Sequence, residues 1–369
     1  MSGNHPVSNE TGRQFPAGPP QEKLAFSEGS AVREATSVEA TATVLLEVRD
    51  LTTEFTTRAG VARAVDGVSF NVHAGEIVGL VGESGSGKSV TGYSILGLID
   101  APGRIAAGSV RLDGQELVGM PRSQLRGLRG RRIAMVFQDP MSTLNPVLTV
   151  FSQMQLAMRA HGKPDTAQAR TRALNALGKV GIPDPERRLD AYPHELSGGM
   201  RQRVAIAIAF LNDPALVICD EPTTALDVSI QAQILVEMKT LVREAGVSLV
   251  WISHDLATVS VLASRLLVMY AGRLIEEGPT AEVLRRPHHP YTQGLIDSLP
   301  SRATPGRDLV QIPGATPALT SLPSGCAFRE RCAHATSNCG VAPAQTIDNA
   351  RTWRCHHPLN MDATAQVTS

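Results

Sequence analysis

Tryptophan occurs twice, tyrosine four times and lysine only five times in this chain of 369 residues, so thirty of its thirty-five basic residues are arginine. Charge of one sign is missing too, because acidic residues also number 35 and the formal net charge is zero. A balanced surface offers no overall attraction to nucleic acid. Nowhere do eighteen apolar residues run together, as a membrane-spanning helix would need. The first 43 residues are rich in Ser, Thr, Glu, Gly and Pro and lack the apolar core of a signal peptide, so they read as a disordered leader. These absences leave an expectation of a cytoplasmic protein that meets a membrane only through a partner. The length allows more than one compact unit and a sizeable core.

Against so few lysines, Lys88 stands out. It closes Gly82-Glu83-Ser84-Gly85-Ser86-Gly87-Lys88-Ser89, a complete phosphate-binding loop. Its glycines let successive backbone N–H groups converge on phosphate oxygens. Lys88 supplies a compact charge where a forked guanidinium fits poorly. The Ser89 hydroxyl is a ligand for Mg²⁺, and the helix that starts there adds its positive end. The other basic cluster, Arg122, Arg126, Arg129, Arg131 and Arg132, reads as a solvated surface segment.

Four short apolar runs look like strands of a parallel sheet covered on both faces: 77–81, 133–137, 215–219 and 248–252. Each empties onto a chemically loaded residue: the glycine loop, Gln138, Asp220-Glu221 and Ser253-His254. Ligands of open α/β sheets gather beyond such carboxyl ends, so the four tips predict one site. Asp220 is placed to hold Mg²⁺, and Glu221 to orient and deprotonate an attacking water. Gln138 reaches metal and water by its amide, and His254 reaches the γ-phosphate and Glu221. Upstream, 45–49 and 68–72 are β-like. Helix-like spacing over 150–160 and 166–180 predicts an inserted helical subdomain at about 139–196. A hairpin is expected to turn at Ala271-Gly272. His288 and His289 invite a metal reading, but a turn docking the last helix is the preferred one.

Beyond the phosphate loop lies Leu196-Ser197-Gly198-Gly199-Met200-Arg201-Gln202. Together with Gln138, the segment from Asp220 to Asp227, and His254, it resembles the ATP-binding subunits of ABC transporters in residues and order, over about 45–299. That resemblance implies an α/β fold of the ABC-type P-loop NTPase, with an antiparallel β subdomain beside the inserted helices. It implies an ATPase using ATP and Mg²⁺, and a head-to-tail dimer in which Ser197 and Gly199 of one subunit face the ATP held by the other's Gly82, Ser84, Gly85, Gly87, Lys88 and Ser89. Asp227 would couple the two sites. An aromatic residue upstream would stack on adenine; Phe55 is the candidate, with a place in the β core as its alternative.

Two further stretches, 138–146 (Gln-Asp-Pro-Met-Ser-Thr-Leu-Asn-Pro) and 287–292 (Pro-His-His-Pro-Tyr-Thr), are similar to dipeptide and oligopeptide importer ATPases. The implied partners are a second ATPase subunit, expected to be a paralogue, two membrane permease subunits and an extracytoplasmic substrate-binding protein. The implied location is the cytoplasmic face of the membrane. Nickel or another small solute remains an alternative cargo. An ABC-type ATPase acting on nucleic acid or ribosomes is the rival class, disfavoured by the single phosphate loop, the lack of coiled coil and the neutral charge.

Cys326, Cys332, Cys339 and Cys355 fall within thirty residues, whereas Cys219 belongs to a strand. In a cytoplasmic chain they should not be disulfides. An iron–sulfur cluster, zinc or free thiols remain open from the residues, although the close cysteine pairs common in zinc sites are absent. The family resemblance implies the first, a [4Fe-4S] cluster, in a small Cys-rich module at 300–358 followed by a loose tail, 359–369.

Overall fold

The structure, a computed structural model, describes residues 43–224, 226–302 and 310–361, apart from the side chains of Met141 and Ser142. The expected leader lies outside these residues except for Thr43, as does the tail beyond 361. In chain order the strands are β1 (Val44–Thr57), β2 (Gly60–His73), β3 (Ile77–Val81), β4 (Gly103–Leu112), β5 (Gln115–Glu116) and β6 (Ile133–Val136). They continue as β7 (Leu216–Asp220), β8 (Ser248–Ser253), β9 (Arg265–Tyr270), β10 (Arg273–Pro279), β11 (Thr346–Asp348) and β12 (Arg351–Trp353).

Among the described residues these strands make two sheets. One has four antiparallel strands in the order β2-β1-β4-β5, and the other eight in the order β11-β12-β10-β9-β3-β8-β7-β6. The four apolar runs form the parallel strands β3, β8, β7 and β6, and β9 joins them parallel to β3. Their side chains alternate between two cores, as the pleat requires. Leu80, Ile218, Val250 and Ile252 face the antiparallel sheet, packing with Leu46, Val48 and Phe70. Val81, Cys219, Leu249 and Trp251 face the helices. A strand buried on both sides shows no polar alternation, which is why these runs read as continuously apolar.

The upstream strands are longer than the β-like runs suggest, fourteen residues each. Register shifts on either side of Leu51, and Asp50 with φ 46°, interrupt the period-two pattern between the paired halves. Between β6 and β7 the chain is helical. Helix Val150–Arg159, capped by Thr149, buries Val150, Met154 and Met158. Helix Thr166–Lys179, capped by Asp165, buries Ala169, Ala173 and Leu177. Each is a three-residue stripe at spacing four, turned to the same core. The basic run is only partly a solvated surface: Arg129 donates to the carbonyls of Leu96 (2.8 Å) and Gly97 (2.6 Å).

The hairpin at Ala271-Gly272 joins β9 to β10, and the chain later returns to this edge. Glu276 and Glu277 of β10 pair with Trp353 and Thr352 of β12, so the last described strands extend the main sheet. The Glu276 carboxylate, 1% exposed, accepts the amides of His288 (2.7 Å) and His289 (2.9 Å) and the Arg351 guanidinium (2.8 Å). Charge buried this deeply persists because it is paired and hydrogen-bonded.

Candidate active site

The tip of β3 leads into the phosphate loop. Gly87 adopts φ 104°, and an added Cβ would fall 2.2 Å from the Ala64 carbonyl oxygen, so no side chain fits there. Gly87 caps helix Lys88–Ile95 without any side-chain hydrogen bond, leaving the first-turn amides for an anion. Lys88 is 4% exposed, and its Nζ donates to the carbonyls of Gly82 (2.8 Å) and Glu83 (3.0 Å). Burial holds its pKa below the usual lysine value, against the pull of Glu221, Asp220 and Glu83. Ser84, Gly85, Gly87, Lys88 and Ser89 line a cleft of about 960 Å³ together with Gln138, Glu221 and His254.

At the tip of β7, Asp220 Oδ1 accepts the Ser89 hydroxyl at 2.8 Å. Asp220 is fully buried, and its Oδ2 has no hydrogen-bond partner. Burial pushes its pKa up, while Ser89, Tyr93 and Lys88 oppose the shift. Tyr93 is itself pushed up to about 12, by burial and the Asp220 charge. A buried carboxylate oxygen left without a donor, beside a serine hydroxyl, suits a hard divalent cation with oxygen ligands. Glu221 takes φ 44°, a strained conformation for a side-chain-bearing residue. Its Oε2 receives Gln138 Nε2 (3.2 Å), His254 Nδ1 (3.0 Å) and Thr224 Oγ1 (3.1 Å). Three elements thus fix one carboxylate.

The signature residues lie apart from this cleft. Ser197 caps helix Gly198–Phe210, its hydroxyl accepting the Met200 amide at 3.3 Å. Asp227 caps helix Val228–Ala245, accepting the Ile230 amide (3.0 Å) and the Ser229 hydroxyl (2.6 Å), and the Ser229 bond first among these holds its pKa down. A Cβ on Gly199 would lie 2.9 Å from Ile230, so the two helix starts are packed together. Phe55 does not line the cleft; it lies against Gly103 near Ile99.

The family model for ABC transporters matches residues 65–224, and that for the oligopeptide/dipeptide transporter C-terminal region matches 275–339. The dipeptide transport ATP-binding protein DppD of Escherichia coli K12 is 46% identical over 318 residues, 86% of this chain and 97% of that protein. The chain belongs to the ABC transporter family. The oligopeptide transport ATP-binding protein OppD of Salmonella typhimurium is 43% identical, over 88% of this chain and 97% of its own length. Among solved structures, the ATP-binding cassette MJ0796, in a dimeric post-hydrolysis state with ADP and Pi, superposes with a TM-score of 0.58 at 28% identity, covering 64% of this chain and 99% of that one. The CbiO1 protein of Clostridium perfringens gives 0.56 at 28% identity, over 66% of this chain and 91% of its own. This ABC protein therefore has the cassette fold of a mixed α/β ATPase, and membership of that ATPase family implies binding of ATP and Mg²⁺. Among the described residues no helix is long and apolar enough to cross a membrane.

The cysteine quartet requires a correction. The expected [4Fe-4S] cluster is not supported: among the described residues no group of three or more His, Cys, Asp or Glu side chains is disposed to hold a metal ion. Zinc loses its support on the same ground. Burial pushes the thiols of Cys326, Cys332 and Cys355 up, the last to about 12. The sulfurs act as weak acceptors, Cys332 for the His334 amide (3.4 Å) and Cys355 for the His357 amide (3.3 Å). The cluster was what the family resemblance implied, and the described residues offer no such metal-holding group. The His288-His289 pair is likewise structural: His289 caps helix Pro290–Asp297, and burial lowers its pKa to about 3.

Sequence reasoning missed Glu83 and its partners. This loop residue is gripped by Arg331, Thr316 and Tyr291, all beyond residue 290. It missed Thr224 as well, although its place three residues after Glu221 was a usable signal.

Proposed function

We propose that this ATPase energises the import of dipeptides or oligopeptides through a membrane permease assembly. The chemistry is carried by one observation, the convergence of Lys88, Ser89 and a triply held Glu221 on a single cleft at the ends of neighbouring parallel strands, with Asp220 bonded to Ser89 beneath it. The cargo is supported by the peptide-transport relatives and by the match over 275–339. The phosphate-loop amides and Lys88, which has one ammonium proton beyond its two carbonyl bonds, receive the phosphates. Mg²⁺, when bound, would neutralise phosphate charge, and Ser89 and Asp220 are the residues that would hold it. Glu221 acts as the base: with Oε2 clamped by Gln138, His254 and Thr224, its other oxygen is oriented to take a proton from water. His254 also serves the γ-phosphate. Phe55 would stack on adenine.

In this reading 44–299 is the cassette, 139–196 its helical insertion, and 300–358 a C-terminal module that also continues the main sheet. Ser197, Gly199 and Asp227, set at two packed helix starts outside the cleft, meet the ATP of a second ATPase subunit, a paralogue by family habit. Two permease subunits and an extracytoplasmic binding protein complete the machine at the cytoplasmic face of the membrane. An apolar groove of about 580 Å³ beside Gln138, lined by Phe137, Leu144, Leu148, Leu156 and Ile208, suits a segment of a permease subunit. The test is uptake of labelled dipeptides, longer peptides and Ni²⁺ in a deletion strain. Peptide uptake should be lost and restored by the wild-type gene but not by Lys88→Ala. Loss of Ni²⁺ uptake alone would overturn the peptide assignment.

A further inference from the structure

Glu83, the second residue of the phosphate loop, is the point where the C-terminal segment reaches the nucleotide cleft. Its two carboxylate oxygens accept a forked pair of bonds from Arg331, Nη1 to Oε2 at 2.6 Å and Nη2 to Oε1 at 2.9 Å. Thr316 Oγ1 adds a third bond at 3.2 Å. The Glu83 amide donates to the Tyr291 hydroxyl at 2.8 Å, and its carbonyl accepts Lys88. One loop residue therefore joins the phosphate-binding lysine to the helix at 290–297 and to the cysteine-rich turn. Arg331 has little freedom. Its side chain is 6% exposed, its Nε donates to the Pro313 carbonyl at 2.8 Å, and its guanidinium lies 5.8 Å from the ring centres of both Tyr270 and Phe328.

We infer that Arg331 is a positioning residue for ATP, which holds the phosphate loop in its binding conformation and cancels the Glu83 charge beside the incoming phosphates. The inference rests on the ATPase reading of this cleft. A carboxylate next to a triphosphate opposes binding unless it is neutralised, and a bidentate arginine neutralises it while fixing its direction. Thr316 and Leu319 line the same cleft, so the segment that carries Arg331 already borders the nucleotide space. Arg331 touches no reacting atom; it acts through Glu83. The effect should therefore fall on ATP affinity and leave turnover at saturation largely intact.

The test uses the full chain with wild type, Arg331→Ala, Glu83→Gln and the double variant, plus Lys88→Ala as a control. Binding of a fluorescent ATP analogue and steady-state hydrolysis are measured with Mg²⁺, and circular dichroism checks folding. Arg331→Ala should raise the Kd and KM for ATP about tenfold or more, with kcat within about twofold of wild type. Removing the stranded charge in Glu83→Gln/Arg331→Ala should recover a large part of that loss, which a purely structural arginine would not allow. Wild-type affinity in folded Arg331→Ala overturns the proposal, as does a double variant no better than Arg331→Ala. Loss of binding in Lys88→Ala beside an unaffected Arg331→Ala would leave the ATP site standing and remove only Arg331 from it. Undiminished binding in Lys88→Ala would overturn the site itself.

Discussion

The phosphate loop and the cysteine-rich segment border the same cleft, yet they present their chemistry in opposite ways. In the loop, six of eight consecutive residues line the cleft, and the buried Lys88 is met by carbonyls and facing carboxylates. In the C-terminal segment the four cysteines are spread over thirty residues, and burial raises the pKa of three of the thiols. The residue there that grips the phosphate loop is Arg331, through Glu83, and it belongs to no motif. Contiguous motifs dictate geometry because the backbone itself is the ligand. Dispersed ligand sets depend on how the intervening chain packs.

The largest test of this contrast lies on the loop side. Glu221→Gln keeps the size of the side chain and the acceptor for Gln138, His254 and Thr224, but it cannot take a proton. Steady-state phosphate release should fall by roughly 10³-fold, within the range for loss of a general base, while ATP binding persists. Loss of binding together with hydrolysis would move Glu221 from the chemistry to the architecture.

A smaller effect sharpens the contrast on the cysteine side. With its pKa raised from 9.0 to about 12, Cys355 holds roughly 10³-fold less thiolate at neutral pH than an ordinary thiol. A more basic thiolate is also a better nucleophile, which offsets about half of that on a logarithmic scale. Alkylation of Cys355 by iodoacetamide at pH 7.5, followed by peptide mass spectrometry, should therefore run about 30- to 100-fold slower than for an exposed cysteine. It should accelerate as pH rises toward 10. Fast, pH-independent labelling would contradict the buried neutral thiol.

How much could be read beforehand follows the same division. The strand tips at Gln138, Asp220 and His254 were legible because each apolar run is short and ends on a polar residue. Asp220 and Glu221 were legible because they are adjacent. The full length of β1 and β2 was not, since the irregularities around Asp50 and Leu51 break the alternation. Nor was the return of 351–353 to the main sheet, a three-residue strand whose partner lies more than seventy positions upstream. Arg331 and Glu83 stand 248 residues apart, and nothing in local composition distinguishes this arginine from twenty-nine others. The packing of Phe55 on Gly103 turns on sheet register, which no single residue declares.

The histidine pair offers the finest comparison, because a neutral buried histidine and a metal-bound one respond differently to acid. His289 is wholly enclosed, its Nδ1 accepting the Tyr291 amide at 3.0 Å, and its pKa falls to about 3 in the folded chain. The unfolded chain protonates this side chain near 6.5, so between about pH 6.5 and 3 the unfolded state binds the additional proton. Stability contributed by the neutral ring is complete above 6.5 and drains as pH falls, by about 1.4 kcal/mol per pH unit once well below 6. His289→Asn keeps a helix-capping acceptor but does not titrate. Denaturant midpoints measured from pH 7 to pH 4.5 should fall less steeply for the variant than for wild type, the gap widening by roughly one proton's slope. Parallel curves would mean that His289 is already protonated or exposed in the folded state, and would remove the reading of this pair as a buried helix cap.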